Sequence, residues 1–382
     1  MSGLRVICTG LIGSIPMAGL TMHYLQYVLG LRQLGHEVLY LEDTGAWNYD
    51  PNTDSMTDDV NLPVAYLRNV MSAHGLADYW AFIDHWGQAH GLTQRGLQDF
   101  VRTADIFINV TGAGILRESY LDVPCRLYID TDPGYIQMRV AGGNQQDIYH
   151  LTRHTHHFSF GCNIGKPGCG IPPGEFDWLP TCQPVVKELW PVVPGPGGTR
   201  KFTTVLKWQS YDPVEYDGET YGLKNEEFVK FIDLPERVAC GIELAMAGNP
   251  PVSDLEGRGW LVRNARSISD TIEHYQRFIQ GSKAEWSIAK NGYVKTNSGW
   301  FSDRSASYLA SGRPVALQST GYEEWLETGA GLLSFRTVAE AVGAIDEICC
   351  NYEAHCKAAS ALAHDVFRAD KVIDSLIERA GL

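Results

Sequence analysis

Short apolar runs alternate along the chain with longer segments whose apolar positions recur every three to four residues. Leu4 to Cys8 is such a run, and the loop that follows, Thr9 to Gly19, carries glycines at 10, 13 and 19. Leu25, Val28, Leu29, Leu31 and Leu34 then keep helical spacing, which predicts a helix over 20–34 closed by Gly35. Val38 to Leu41 reads as a buried strand ending in Glu42 and Asp43, completing a right-handed βαβ unit. Further strands are expected at 105–110 and 126–130.

Residues 191–198 read Pro-Val-Val-Pro-Gly-Pro-Gly-Gly, which continues neither a helix nor a central strand, so a domain linker is expected there. Beyond it the pattern restarts, with strands expected at 203–206, 238–246, 260–262 and 314–317 and helices at 225–232, 268–279 and 302–310. The expectation is an α/β protein of two Rossmann-like, doubly wound parallel sheets facing across a cleft, one domain over 1–192 and a second over 193–360. The acidic helical tail 338–380 is long enough for its last part, 361–382, to cross back onto the first domain.

A chain of 382 residues that is 44% apolar and 20% charged has ample core for two or three domains. Its 31 basic and 45 acidic side chains leave a formal charge of −14, a poor match for a nucleic-acid backbone or an anionic membrane. Neither a signal peptide nor a run of about 20 apolar residues is evident, so a cytoplasmic protein with no nucleic-acid or membrane partner is expected. The nine cysteines read as free thiols. Cys162, Cys169 and Cys182, close behind His154, His156 and His157, lack the tight pair of a structural zinc site, and no metal is expected.

Ligands of open parallel sheets lie beyond the carboxyl ends of the strands. Gly13, Ser14 and Gly19 of the first loop are therefore candidates for close backbone approach to a ligand, although a plain strand-to-helix turn explains them as well. Their spacing is not G-x-G-x-x-G. Glu42 or Asp43 stands where a dinucleotide fold places its ribose-binding acid, and a nicotinamide dehydrogenase rests on those two residues alone. Asp130 and Asp132, in Asp130-Thr131-Asp132-Pro133-Gly134, are candidate catalytic carboxylates at a strand end, and the same five residues also suit an ordinary turn. His154, in a long irregular loop, is a candidate for lining the cleft. Trp80, Trp86, Trp178, Trp190, Trp208, Trp286 and Trp300 offer sugar-stacking faces but are equally core residues, and none is assigned.

One stretch carries a specific resemblance. Ala310-Ser311-Gly312-Arg313-Pro314-Val315, then Gly321, Glu323 and Glu324, then Gly329 and Gly331, are similar to the donor-binding half of glycosyltransferases with the two-Rossmann GT-B architecture. Ala18-Gly19 with His23, and Gly35-His36-Glu37-Val38, resemble the glycine loop and following turn of the GT-4-like, retaining members. Inverting relatives place a histidine directly after the loop glycine, where this chain has Leu20.

The resemblance implies a nucleotide-sugar donor, no separate cofactor, and a small-molecule or glycan acceptor bound by the first half. It places Lys207 and Lys224 where the family holds the donor diphosphate, and it draws Lys290, Thr320 and Gly321 into the donor site. Gly299 and Ser307 stand where the family has paired glutamates, so Asp303 and Arg304 are the candidates for a ribose or phosphate contact, unless they form an ordinary helix-start ion pair. Related chemistries on the same fold are nucleotide-sugar epimerisation and phosphorolysis, and the missing glutamates also suit a binding protein without turnover. Oligomeric state is not legible.

Overall fold

The computed structural model describes residues 3–195 and 200–382. Pro196, Gly197 and Gly198 of the expected linker lie outside the described residues. The first half contributes β1 Arg5–Thr9, β2 Glu37–Glu42, the hairpin β3 Asn48–Asp50 and β4 Ser55–Thr57, β5 Trp80–Ile83, β6 Ala89–Gly91, β7 Ile106–Val110, β8 Cys125–Asp130, β9 His156–Ser159 and β10 Trp178–Pro180. The second contributes β11 Phe202–Lys207, the hairpin β12 Val214–Tyr216 and β13 Glu219–Tyr221, β14 Ile242–Ala247, β15 Leu261–Asn264, β16 Ala284–Ser287, β17 Val315–Gln318 and β18 Leu332–Phe335.

The eight-stranded first sheet runs β10-β9-β8-β7-β1-β2-β5-β6 and the six-stranded second runs β15-β14-β11-β16-β17-β18. All neighbours in them are parallel except β5 and β6. Both orders reverse direction beside their first strand, the switch point at which such sheets open a crevice. β1 and β2 are apolar and buried on both faces because helices cover both sides of the sheet.

Most expected elements form, with instructive differences. The first helix spans Ala18–Gln33. The expected helix 225–232 is α-helical only over Lys224–Phe228 and then tightens into a 3-10 turn over Val229–Phe231. Phe228 and Phe231 are both fully buried, and 3-10 winding aligns residues three apart. The expected strand 238–246 starts only at Ile242. The expected helix 268–279 is two, Arg266–Ser269 and Ile272–Gly281, because the Thr271 hydroxyl caps the second by accepting the His274 N–H.

The tail forms helices Val338–Cys350, Tyr352–Val366 and Ala369–Arg379. The last lies on the first helix so closely that a Cβ on Gly30 would stand 2.5 Å from Ile373 Cδ1 and 2.9 Å from Ala369 Cβ. Its entry is fixed by Val185 N–H to Phe367 O at 2.7 Å and Ala369 N–H to Val185 O at 3.0 Å. Arg313 of the Ala310–Val315 turn is fully buried and donates to Gln280 O at 2.9 Å, Val193 O at 3.1 Å, Tyr352 Oη at 3.1 Å and Gly195 O. It thereby pins the chain that leaves the first half. All nine cysteines are free thiols. Among the described residues, no helix is long and apolar enough to cross a membrane.

Candidate functional site

The carboxyl rims of the two sheets meet. Asn163, after β9, donates to Asn297 O and Gly321 O at 3.1 and 3.0 Å, its N–H reaches Ser298 O at 3.1 Å, and Tyr135 Oη donates to Gly222 O at 2.7 Å. Gly321 belongs to this clasp, and Thr320 precedes it. The Thr320 hydroxyl donates to Trp300 O at 2.5 Å, and a Cβ on Gly321 would collide with Asn297 and Asn163. The Thr320 side chain and the α-carbon of Gly321 thus face protein.

The first loop is also committed internally. The Ser14 N–H and hydroxyl each reach Glu42 Oε2 at 2.8 Å, and Gly13 N–H and the Tyr40 hydroxyl reach Oε1 at 2.5 and 2.8 Å. Glu42 is fully buried, and burial pushes its carboxyl above the usual range while these four donors oppose the shift. Asp43 is equally occupied, by Arg117 and by the Tyr120 hydroxyl at 2.8 Å. Gly13 and Ser14 thus hold Glu42 rather than a ligand, and no ribose-binding acid remains for a nicotinamide site. Gly19 faces the Tyr275 ring of the second half, where an added Cβ would make an ordinary 3.5 Å contact.

Asp130 is buried under its own turn, accepting from Gln137 Nε2 and Ser159 Oγ at 2.7 Å and from Asp132 N–H at 3.0 Å; burial raises its pKa to about 6 against these donors. It shapes the loop. Asp132 reaches across the cleft. Lys290 Nζ donates to both its oxygens at 2.8 and 2.7 Å and to Tyr211 Oη at 2.6 Å, and the Tyr211 and Tyr293 hydroxyls also bond to Asp132. The ammonium lies 4.4, 5.3 and 5.5 Å from the rings of Tyr211, Tyr135 and Tyr293, inside an aromatic box.

His154 is a scaffold residue. Its Nδ1–H donates to His150 O at 3.0 Å, so Nε2 accepts from Asn109 Nδ2 at 3.1 Å, and both nitrogens are spent away from the cleft. Burial, then the neighbouring His150, lowers its pKa to about 3. The unfolded chain therefore takes up a proton near pH 6.5 that the folded imidazole refuses, and this stability contribution is lost as pH falls from 6.5 towards 3. His154→Gln is expected to flatten that loss, read as the difference in melting temperature between pH 7 and pH 5.

The cations form the other focus. Arg304, at the start of helix Asp303–Ala310, is buried and donates to Glu285 Oε1 at 2.6 Å, to Ser287 Oγ at 2.7 Å and to Val205 O. Two of its five N–H groups remain. Lys224 lies beside it and, among the described residues, makes no hydrogen bond or ion pair. Burial, then the charges of Arg304 and Lys290, lowers its pKa to about 7. Asp303 Oδ2 stands 3.7 Å from His23 Nδ1 on the first helix. His23 is buried, neither ring nitrogen has a partner, and burial lowers its pKa while Asp303 opposes. Lys207 is exposed at the end of β11, with its stem over Gly248.

Beside this focus a cavity of about 630 Å³ is walled by both halves: Tyr49, Asn52 and Asp54 of the first hairpin, and Asn249, Arg263 and Arg266 at the ends of β14 and β15. Arg266 bonds to Asn52 across it. A larger hollow of about 720 Å³ lies behind, against Val192–Gly195 and helix Tyr352–Val366. It holds none of the groups just described. Among the described residues, no three His, Cys, Asp or Glu side chains are grouped to hold a metal.

Sequence reasoning missed the working position of His23, Tyr211 and Tyr293. The only signal for the first was its place behind Ala18-Gly19 in the family resemblance, and the tyrosines come from segments too distant in sequence to associate.

Two parallel sheets in Rossmann order, meeting at their carboxyl rims and tied by a returning C-terminal helix, are the GT-B arrangement. Solved structures share it along their whole length. An alpha-glucosyltransferase in complex with UDP and a 13-mer DNA containing an HMU base matches with TM-score 0.57 at 8% identity, over 100% of both chains. Anabaena Alr3699/HepE in complex with UDP and glucose matches with TM-score 0.55 at 9% identity, over 99% of both chains. AviGT4, a glycosyltransferase involved in avilamycin A biosynthesis, matches with TM-score 0.54 at 10% identity, over 99% of this chain and 97% of that one. At such identities the likeness is one of fold. No family model matches the sequence, and no curated protein matches it.

Proposed function

We propose that the chain is a glycosyltransferase that moves a sugar from a nucleoside diphosphate donor to an acceptor held by the first half, with residues 193–360 as the donor domain, 1–192 as the acceptor domain and 361–382 crossing back. The single observation that carries this is Lys224. Its ammonium, disfavoured first by burial and then by Arg304 and Lys290, is only partly offset by Asp303 and Glu285, neither of which bonds to it, and a diphosphate would relieve that cost. Lys224 and the two spare N–H groups of Arg304 would bind its oxygens and hold the charge that develops as the glycosidic bond breaks. Cations of the chain serve that role, so the reading calls for no metal.

Along the rim the strands stand about 4.8 Å apart. A nucleotide laid from the cavity at β14 and β15 past Lys207 to Arg304 brings its sugar towards Asp303 and His23. His23 is the group placed to exchange a proton there, with Asp303 orienting it. The GT-B glycosyltransferases that share the fold support the reading, and the retaining outcome follows only from the GT-4-like resemblance. The net charge of −14 favours an acceptor other than nucleic acid.

The test is a melting series with UDP, GDP, ADP, TDP and their sugars. One nucleoside diphosphate is expected to stabilise the chain by about 2.7 kcal/mol at a hundred times its Kd. Its sugar, incubated without acceptor, should yield only slow hydrolysis, whereas a 2-epimer of the donor would make the chain an epimerase. If no diphosphate shifts the melt, the proposal fails.

A further inference from the structure

Two tryptophans stand in solvent while Trp190, Trp260 and Trp286 are fully buried: Trp86 is 65% exposed and Trp47 55%. They are not scattered. The His85 ring lies between them, its centroid 3.5 Å from that of Trp86 and 6.5 Å from that of Trp47. The three side chains come from the loops after β2 and β5, neighbouring strands, so the topology itself brings them together on the carboxyl rim of the first sheet.

Both loops are braced. The buried Asp84 accepts the N–H groups of Trp86 and Gln88 at 3.0 and 2.8 Å and pairs with His90 at 2.9 Å. On the other loop Asp43 is held by Arg117, while its carbonyl takes the Ile115 N–H at 2.8 Å. The carboxylates beside the patch that make no ion pair, Asp50, Asp54, Asp58 and Asp59 of the hairpin segment, are all negative and disfavour an anionic ligand. Nδ1 of His85 is buried and has no partner.

Exposed indole faces beside carboxylates that repel an anion suit a neutral carbohydrate, whose rings offer C–H faces to indoles and hydroxyls to indole N–H groups. The exposed indole area is about 300 Å², far below the roughly 800 Å² each partner brings to a stable protein interface. The patch is also continuous with the cleft, because Trp47 adjoins the β3–β4 hairpin that walls the 630 Å³ cavity.

We propose that Trp47, His85 and Trp86 form a platform on which a neutral oligosaccharide acceptor stacks. The inference rests on the glycosyltransferase reading of the cleft and adds the class of acceptor to it. A sugar chain held here would lead its end along the hairpin towards the donor.

The full-length protein is applied to an array of neutral hexasaccharides of glucose, mannose, galactose, xylose and N-acetylglucosamine beside uronate-bearing counterparts, with nucleoside diphosphate melting measured in parallel. The expected result is retention on at least one neutral oligosaccharide, about a tenfold loss of affinity in Trp47→Ala and in Trp86→Ala, and most of it kept in Trp86→Tyr. An unchanged diphosphate melting shift shows that the variants are folded. Binding to uronate glycans alone, equal binding by the alanine variants, or no retention while the diphosphate still stabilises the chain overturns the platform. Tryptophan-dependent retention with no diphosphate shift upholds the platform and overturns the donor site instead.

Discussion

Lys224→Met is expected to make the protein more stable and unable to hold its donor. The ammonium is half-buried among cations, and its pKa of about 7 records the cost. Removing the charge while keeping the stem should add on the order of 1–2 kcal/mol of stability at pH 7 and below. In the parent the folded state releases this proton near pH 7 and the unfolded chain keeps it until about 10.5. The unfolded state therefore binds more protons between those values, and the parent gains stability as pH rises through that window; below it the full cost persists. The variant should lose that slope. Diphosphate affinity should fall about a hundredfold, the worth of a strong charge-assisted hydrogen bond, and in the parent it should weaken as pH climbs above 7 and the lysine discharges. Melting curves from pH 6 to 10 with and without the diphosphate read both effects. A Lys224→Met protein that binds the donor like the parent would remove this residue from the site.

Arg304→Met should be the most destabilising change near the cleft. Glu285 is fully buried, its Oε2 already lacks a partner, and Arg304 is its counter-ion at 2.6 Å. Leaving that carboxylate alone costs about 3–5 kcal/mol, or roughly 10 °C of melting temperature. The double variant Arg304→Met with Glu285→Gln should recover much of it. If the single variant melts within 2–3 °C of the parent, on the order of 1 kcal/mol, the pair is not what anchors helix Asp303–Ala310.

The twin α/β halves were legible because both-face burial writes each strand as an apolar run, and Leu25 to Leu34 kept a helix period. Strand order was not, since β1 finds β7 and β11 finds β16 across long intervals that leave no local mark. Site residues divided on the same line. Lys224 was singled out because the resemblance puts a cation at the opening of the helix expected from Asn225, as it puts Lys207 at the end of the first strand of the second half. Asp132 was found by its strand-end turn, but its partner Lys290 lies 158 residues on and no pattern joins them. For Glu42, Asp130 and His154 the sequence shows side chains able to carry chemistry and not that their lone pairs are taken up within the fold. Nor does it show that Gly321 meets Asn163 of the other half while the Thr320 hydroxyl bonds to Trp300 O.

Arg313 has a mechanical consequence. The outgoing chain is fastened at Val193 and Gly195, and the returning chain is sewn to Val185 through Phe367 and Ala369. Both crossings border one hollow, whose lining includes Val185, Val193, Gly195 and Arg368. Two fixed crossings side by side act as the pins of a door: they permit a swing about the line through them and resist sliding. The lobes would then part most widely at the far margin, where Arg266 meets Asn52, so entry and release of a long molecule belong on the hairpin side.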